Sequence, residues 1–196
     1  MPFIETAEYA GRFVPTGAAG RTATPLTELY MTKLLYTGPG IEALHAQYAA
    51  QGRIDTKAPV TASREIVIAA PMATVWALLS DPRGWGRIDP AIHDVRLDGE
   101  VAPGTRFAWR NGRARIISRF AVVDPEREIT WTGLSSGVKA VHRHLLAARD
   151  ENHTHLMSEE SMAGPLLPLF FGSAKLAATL DNWLTAIKTA AQQARP

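Results

Sequence analysis

The pattern of hydrophobic and polar positions changes near residue 60. Before that point the chain is irregular, and Phe13–Pro25 is rich in Gly, Pro, Thr and Ala, which indicates a loop. Apolar residues at helical spacing predict one short helix over Leu26–Tyr36 and a second over Ile41–Gly52. We therefore expect an N-terminal extension of residues 1–60, with two short helices, followed by a domain of residues 61–193.

The second part opens with a strand followed by a helix. Arg64–Ile68 alternates between polar and β-branched apolar residues, which favours a strand. Pro71 suits the first turn of a helix, where its missing N–H costs nothing. The helix should then end at Asp81, because a residue that precedes proline avoids the helical region.

A run of strands follows, and Asn111-Gly112 is the strongest hairpin signal in it. A two-residue loop there would pair Arg110 with Arg113. Side chains alternate along a strand, so one apolar face is predicted and the arginines Arg115 and Arg119 should lie in water on the other. The apolar face would contain Phe107, Trp109, Ala114, Ile116, Ser118, Phe120 and Val122. If Val123 pairs with Glu128, Ile129 and Trp131 join that face.

The last predicted hairpin has its loop at Arg149–His153, which pairs Ala148 with Thr154. Three further cross-strand pairs then share one face, and Met162 continues it. These pairs are Leu146 with Leu156, His144 with Ser158, and His142 with Glu160. A long helix from Pro165 to about Ala191 should close the chain, because its apolar residues recur at helical spacing.

The order of these elements resembles the helix-grip fold of the START/Bet v 1-like superfamily, also called SRPBCC. The segments that carry the resemblance are IVIAAPMATVWALLSDPRGW, ITWTG, THLMSEESMAG and LDNWLTAIKTAA. Within the superfamily the chain is most similar to the polyketide cyclase/dehydrase group, over about Thr61 to Gln193. The expected fold is therefore α+β. A curved antiparallel sheet of about seven strands wraps around a long C-terminal helix, with two short helices after the first strand.

This resemblance implies a cavity between the sheet and the long helix that binds an apolar or amphipathic small molecule, such as a lipid, a polyketide or an aromatic compound. The inward positions fit a ligand site, which is mostly apolar with a few fixed polar groups. Trp85 would line the mouth. The predicted walls are Phe107, Trp109, Phe120, Trp131 and Met162, and the predicted polar cluster is His142, His144, Ser158 and Glu160.

The polar cluster allows three interpretations. In the first, Glu160 orients His142 as an acid–base pair for a carbonyl substrate. In the second, the pair is structural. In the third, His142, His144 and Glu160 form a two-histidine, one-carboxylate metal site. We expect no metal and no cofactor, because the histidines at 153 and 155 cannot converge with the others and the resembled group is mostly metal-free.

Composition narrows the function classes. The 196 residues contain no cysteine, which excludes disulfides and thiolate chemistry and is compatible with a reducing cytoplasm, so we expect a cytoplasmic protein. The start of the chain has no signal-peptide pattern, and we expect no stable membrane insertion. The formal net charge is only +2. A solvated strand face explains the cluster of Arg110, Arg113, Arg115 and Arg119 more simply than nucleic-acid binding does.

The first functional expectation is a carrier or sensor, a monomer or homodimer, that binds an apolar small molecule without chemistry. A cyclase/aromatase-like enzyme with His142 and Glu160 as its acid–base pair is the alternative. An accessory protein that binds a chaperone partner or a membrane is a third class. A collapsed cavity beside a large exposed apolar patch would favour that third class.

Overall fold

The computed structural model describes residues 33–194 and contains one seven-stranded antiparallel sheet in the order β1-β7-β6-β5-β4-β3-β2. The first strand lies beside the last, so the sheet brings the two ends of the domain together. The strands are β1 Val60–Ile68, β2 Ile92–Leu97, β3 Arg106–Asn111, β4 Ala114–Asp124, β5 Glu128–Ser135, β6 Val138–Asp150 and β7 His153–Ala163. The predicted helix-grip architecture is confirmed.

Four α-helices lie wholly within the described residues, and residues 33–35 are helical as well. The four are α1 Ile41–Gln47, α2 Met72–Leu79, α3 Trp85–Ile88 and α4 Ser173–Gln193. The expected two short helices after the first strand are α2 and α3, separated by a 3-10 turn over Pro82–Gly84. Most of the helix predicted for Leu26–Tyr36 lies outside the described residues. Among the helices of residues 33–194, none combines the length and the hydropathy that crossing a membrane requires.

The long helix begins later than predicted, at Ser173 rather than Pro165. Leu166 has a left-handed backbone with φ +57°, and a 3-10 turn over Leu167–Leu169 follows. Gly172 is extended and directly precedes the helix. One face of α4 is buried against the sheet, at Leu176, Ala177, Leu180, Leu184, Ile187 and Ala191. Burial of this stripe is what holds the helix in the grip of the sheet.

The register of β6 and β7 is as predicted: Ala148 pairs with Thr154, Leu146 with Leu156, His144 with Ser158, and His142 with Glu160. The predicted register of β3 and β4 is wrong by two residues. Asn111 pairs with Ala114, so the loop is Gly112-Arg113 instead of Asn111-Gly112. Asn111 is held in β3 because it also pairs with Ile92 of β2. A shift of two leaves every side chain on its predicted face.

A second correction concerns Val122. The pairing of β4 with β5 shifts between Phe120 and Val122, which is a β-bulge. The extra residue reverses the alternation, so Val123 and not Val122 packs in the main core. Ala121, one position earlier, packs on the opposite face of the sheet, against a smaller cluster.

That smaller cluster forms because residues of the N-terminal extension cover the outer face of the sheet. Leu44 of α1 and Ala49 pack against Val141 of β6. His45 and Thr132 form a hydrogen bond between Nδ1 and Oγ1 at 3.1 Å. Arg119 was expected in water, but its guanidinium donates to Glu42 of α1 at 3.0 Å. Residues 41–49 therefore pack behind the sheet, on the side away from α4.

Candidate functional site

The space between the sheet and α4 is filled by aromatic rings, with Trp85 at their centre. Trp85 is only 1% exposed. Its ring centroid lies 5.3 Å from that of Trp131, 5.9 Å from those of Trp109 and Trp183, and 6.0 Å from that of Phe107. Phe107 in turn stacks on Phe120 at 4.4 Å. These contacts are edge-to-face and offset arrangements of the kind that aromatic pairs prefer.

Local sequence explains how Trp85 reaches this position. The 3-10 turn at Pro82–Gly84 and the four-residue α3 turn the chain inward, and the indole N–H of Trp85 donates to the carbonyl of Leu79 at 3.2 Å. Gly86 allows the close packing, because a Cβ there would lie 2.7 Å from the carbonyl oxygen of Ile92. Trp85 is therefore held inside the domain rather than at an open mouth.

The structure brings together four of the five predicted wall residues. Phe107, Trp109, Phe120 and Trp131 all surround or contact the Trp85 ring or its neighbours. Met162 does not join them. It packs at the other end of the interior in a separate cluster with Val60, Leu167, Leu176 and Leu180.

The predicted polar cluster is a hydrogen-bonded group beside the aromatic rings. His142 Nδ1 lies 3.0 Å from Glu160 Oε2, and His142 Nε2 lies 3.0 Å from His144 Nε2. The hydroxyl of Ser158 is 3.3 Å from His142 Nε2. The ring of His142 also stacks on Trp131, with centroids 4.5 Å apart and planes within 6°. The cross-strand pairing of β6 and β7 places all four polar residues on the inner face.

Sequence reasoning missed one member of this group. This member is Trp183 of α4, whose indole N–H donates to His144 Nε2 at 3.2 Å. His144 and Trp183 are 39 positions apart in the chain. No local pattern links a strand residue to a helix residue at that separation, so only the docking of α4 on the sheet could reveal the bond.

Burial and the indole N–H of Trp183 together determine the charge and the tautomer of His144. His144 is fully buried, and this burial, reinforced by the charge of His142, lowers its pKa well below the ordinary value of 6.5. The ring is therefore neutral and carries a single proton. Because Nε2 accepts from Trp183, that proton resides on Nδ1.

The tautomer of His144 determines which nitrogen of His142 carries a proton. Since His144 Nε2 is an acceptor, the contact at 3.0 Å between the two Nε2 atoms requires His142 to donate, and the single lone pair of His144 Nε2 is shared between Trp183 and His142. His142 therefore carries a proton on Nε2, and a second proton can lie between its Nδ1 and Glu160 Oε2. The side chains of His142 and Glu160 are 13% and 15% exposed, so the pair keeps limited contact with water. An imidazole with a carboxylate on one nitrogen is suited to general acid–base chemistry.

One atom of the cluster lacks a partner. Within the described residues, His144 Nδ1 is the buried side-chain nitrogen or oxygen that forms no hydrogen bond. An unsatisfied buried donor costs about 1–3 kcal/mol. Because buried polar groups are normally hydrogen-bonded, we expect a polar atom from outside the chain to accept a hydrogen bond from this nitrogen.

A metal site does not fit these contacts. Across residues 33–194, no group of three His, Asp or Glu side chains is arranged to hold a metal ion. Both nitrogens of His142 are already engaged, by Glu160 and by His144. The other nearby histidines point elsewhere: His153 pairs with Asp150 in the turn, and His155 pairs with Glu65 of β1.

The sequence model of the family described as "Polyketide cyclase / dehydrase and lipid transport" matches residues 59–192, which is more than half of the chain. The resemblance found in the sequence is thereby confirmed. No curated protein matches the chain significantly in sequence.

Solved structures share the fold at low identity. A START superfamily protein from Mycobacterium smegmatis aligns with a TM-score of 0.58 and 14% identity, over 69% of this chain and 99% of that one. Norcoclaurine synthase from Thalictrum flavum, in complex with dopamine and hydroxybenzaldehyde, aligns at 0.56 and 15%, over 84% and 98%. The Zhui aromatase/cyclase from a Streptomyces species aligns at 0.51 and 20%, over 68% and 93%.

Proposed function

Because the chain belongs to the polyketide cyclase / dehydrase and lipid transport family, we propose that it binds an apolar or amphipathic small molecule between the curved sheet and α4. A lipid, a polyketide or an aromatic compound would meet the rings of Trp85, Phe107, Trp109 and Trp131. Such rings provide apolar area and stacking surfaces.

The observation that carries the proposal is the unpartnered Nδ1–H of His144. A bound molecule with a carbonyl, hydroxyl or ether oxygen would accept this hydrogen bond. That bond would hold the oxygen at His144 while the rest of the molecule lies among the aromatic rings. A ligand with one polar end and one flat apolar end combines these requirements.

Entry of such a molecule requires Trp85 to leave the centre of the interior, since its ring occupies the space between Trp131 and Trp183. Trp85 sits on α3, which is only four residues long, and is followed by Gly86. A short element of this kind can move without unfolding the sheet. Binding is therefore expected to change the fluorescence of Trp85.

A matched pair of probes tests the proposal. Calorimetric titration would compare 2-acetylnaphthalene with 2-ethylnaphthalene, which has the same shape without the acceptor oxygen. The ketone should bind roughly tenfold more tightly to the unmodified protein, as expected for one additional hydrogen bond. The preference should disappear in His144→Phe and persist in His155→Phe, which changes an exposed histidine. Absence of binding by both probes, or an unchanged preference in His144→Phe, would contradict the proposal.

A second function, that of a cyclase/aromatase-like enzyme, is favoured by one distance. The 3.0 Å between His142 Nδ1 and Glu160 Oε2 is within the range that acid–base pairs require. In a dehydration of a β-hydroxy ketone, a base would take the α-proton and an acid would protonate the leaving hydroxyl, so that water and an enone result. His142 and Glu160 would share these two roles.

The rate of elimination from an aryl β-hydroxy ketone, followed by enone absorbance, separates binding from turnover. We expect acceleration by the unmodified protein and by His155→Gln, and its loss in Glu160→Gln and His142→Gln. Equal rates with and without protein would contradict the enzymatic function, and the binding function would then stand by itself. Equal rates in Glu160→Gln and the unmodified protein would remove Glu160 from the chemistry.

A further inference from the structure

The outer face of strands β2, β3 and β4 carries an unusual arrangement of arginines, in a region that α1 reaches only at Arg119. Arg106 lies directly opposite Arg119, and Arg110 lies directly opposite Arg115. Between these two rows lies the pair Ala108 and Ile117, and β5 extends the middle row with Leu134 opposite Ile117. We call this surface the arginine face; it consists of Arg96, Arg106, Ala108, Arg110, Arg115, Ile117, Arg119 and Leu134.

The stability of the fold does not explain this pattern. Like charges directly opposite each other on neighbouring strands destabilise a sheet. Within residues 33–194, carboxylates offset only part of the charge: Asp94 lies 3.4 Å from Arg110, and Glu42 lies 3.0 Å from Arg119. In the same described range, no ion pair involves Arg106 or Arg115. Both are exposed.

The middle row ends at Arg96, which pairs with Ala108, and its centre is apolar and open to water. Ile117 is 50% exposed and Leu134 is 36% exposed, which is high for large aliphatic side chains on adjacent strands. α1 covers the neighbouring positions Thr132 and Val141 but reaches no further than Arg119. An exposed apolar centre with arginines around it matches the anatomy of a protein interface, in which Arg is enriched and the core of the patch is apolar.

The spacing of the rows indicates the shape of the partner. Residues two positions apart on a strand are roughly 7 Å apart, so the apolar row has a basic row at about that distance on each side. An amphipathic helix that lies across the strands could place an apolar stripe on Ile117 and Leu134. Carboxylates on both flanks of the stripe would then meet Arg106 and Arg115. We infer that the arginine face docks an acidic amphipathic helix of a partner protein.

The alternatives fit less well. A second copy of this chain using the same face would bring arginines against arginines. Nucleic acid would cover the apolar row with phosphates, and bases would find no exposed aromatic ring to stack on among the described residues of this face. A lipid surface requires a wide apolar face, whereas two aliphatic side chains provide little area.

Fluorescence anisotropy with synthetic probes tests the inference. The main probe is a labelled helical peptide with a leucine stripe flanked by glutamates, and its control has glutamines in place of the glutamates. We expect salt-sensitive binding of the acidic peptide and roughly tenfold weaker binding by the double variant Arg106→Gln, Arg115→Gln. The double variant Arg83→Gln, Arg149→Gln has the same net charge and alters exposed arginines elsewhere, so it should bind like the unmodified protein.

Two further measurements make the outcome decisive. Ile117→Ser should also weaken peptide binding, although it leaves the charge unchanged. The thermal midpoint of Arg106→Gln, Arg115→Gln should not fall, because the change relieves like-charge contacts. Equal losses in both double variants would overturn the inference. Tighter binding of a single-stranded oligonucleotide, or of vesicles of phosphatidylcholine and phosphatidylglycerol, would also overturn it.

Discussion

Trp183 in the long helix donates a hydrogen bond to Nε2 of His144 in β6, at 3.2 Å. The bond connects the long helix to the sheet, since α4 supplies the donor and β6 supplies the acceptor. It also holds His144 as the tautomer with its proton on Nδ1, which forces His142 to donate in the bond between the two histidines. One indole therefore sets the direction of the hydrogen bonds that end at Glu160.

The first prediction follows from removing that indole donor. Trp183→Phe retains an aromatic ring but removes one of the two donors to His144 Nε2, so that this nitrogen can carry the proton and donate to His142 instead. We expect the tautomer of His144 to shift from Nδ1–H toward Nε2–H, and the free energy of unfolding to fall by about 1–3 kcal/mol. Two-dimensional ¹⁵N spectra of the histidine rings and urea denaturation measure the two effects.

Trp76→Phe is the matched control, because Trp76 lies on α2 outside the polar cluster. It should alter stability without altering the ring-nitrogen signals of His144. An unchanged tautomer in Trp183→Phe would show that the indole does not set the proton position.

The second prediction concerns pH. Burial lowers the pKa of His144 far below 6.5 in the folded state, whereas the unfolded chain titrates near 6.5. The unfolded state therefore binds an extra proton as the pH falls below that value. The contribution of His144 to stability is complete above about pH 6.5 and is lost on acidification.

Urea denaturation between about pH 5 and about pH 8 measures this effect. For one histidine, the free energy of unfolding should fall by up to about 1.4 kcal/mol per pH unit below pH 6.5. His144→Phe should flatten the profile in this window, and His155→Phe should not. Parallel profiles for His144→Phe and the unmodified protein would refute the assignment.

The third prediction tests whether Glu160 is needed as a carboxylate that binds a proton or only as a hydrogen-bond partner of His142. Glu160→Gln keeps the shape of the side chain, and its amide can donate to His142 Nδ1 while His142 Nε2 still donates to His144. We expect stability to change by less than about 1 kcal/mol. Ring-nitrogen spectra should show that the proton between Nδ1 and residue 160 now resides on the amide.

A control for this prediction is Glu65→Gln, which changes the exposed partner of His155. It should leave the signals of His142 unaltered. A large loss of stability in Glu160→Gln would instead indicate that the charge of the carboxylate is needed for folding.

Much of the inner face could be predicted because strand alternation is local. In β6 and β7 the apolar pair of Leu146 and Leu156 indicates the register. The pairing of the polar residues, including His142 with Glu160, follows from that register. A shift by one residue would have put Leu146 in water, so the alternation excludes that register. His142 and Glu160 were therefore placed correctly without knowledge of their contacts.

The remaining features depend on contacts between distant segments. Asn111 is kept in β3 by Ile92, which moved the hairpin loop to Gly112-Arg113. Gly112 has φ +55°, and a type II′ turn places glycine at the first loop position. The bulge that turned Val123 inward and the donor from Trp183 likewise have no signature in the local pattern.

The solvent exposure of Arg119 also depends on a contact with a distant segment. The outward strand position of Arg119 predicts contact with water, and the outward position is confirmed. The extension then folds back and brings Glu42 to within 3.0 Å of it. The pattern along a strand reports the face of the sheet, whereas another segment decides what covers that face.

The last prediction tests the packing that keeps Trp85 inside. Gly86 lies in α3, where alanine is normally the better helix former. A Cβ at this position would nevertheless lie 2.7 Å from the carbonyl oxygen of Ile92, which is main chain and cannot rotate away. Gly86→Ala should therefore lower the free energy of unfolding by about 1–3 kcal/mol, as overpacking usually does.

The strain should also displace the Trp85 ring, because the two residues are adjacent on one short helix. We expect a change in tryptophan fluorescence together with a lower thermal midpoint. Gly172→Ala is the matched control, since an added Cβ there meets nothing within 4 Å. It should leave both measurements near those of the unmodified protein. Equal midpoints for Gly86→Ala and Gly172→Ala would mean that the main chain at Ile92 can retreat, and that the close packing at Gly86 does not hold Trp85 in place.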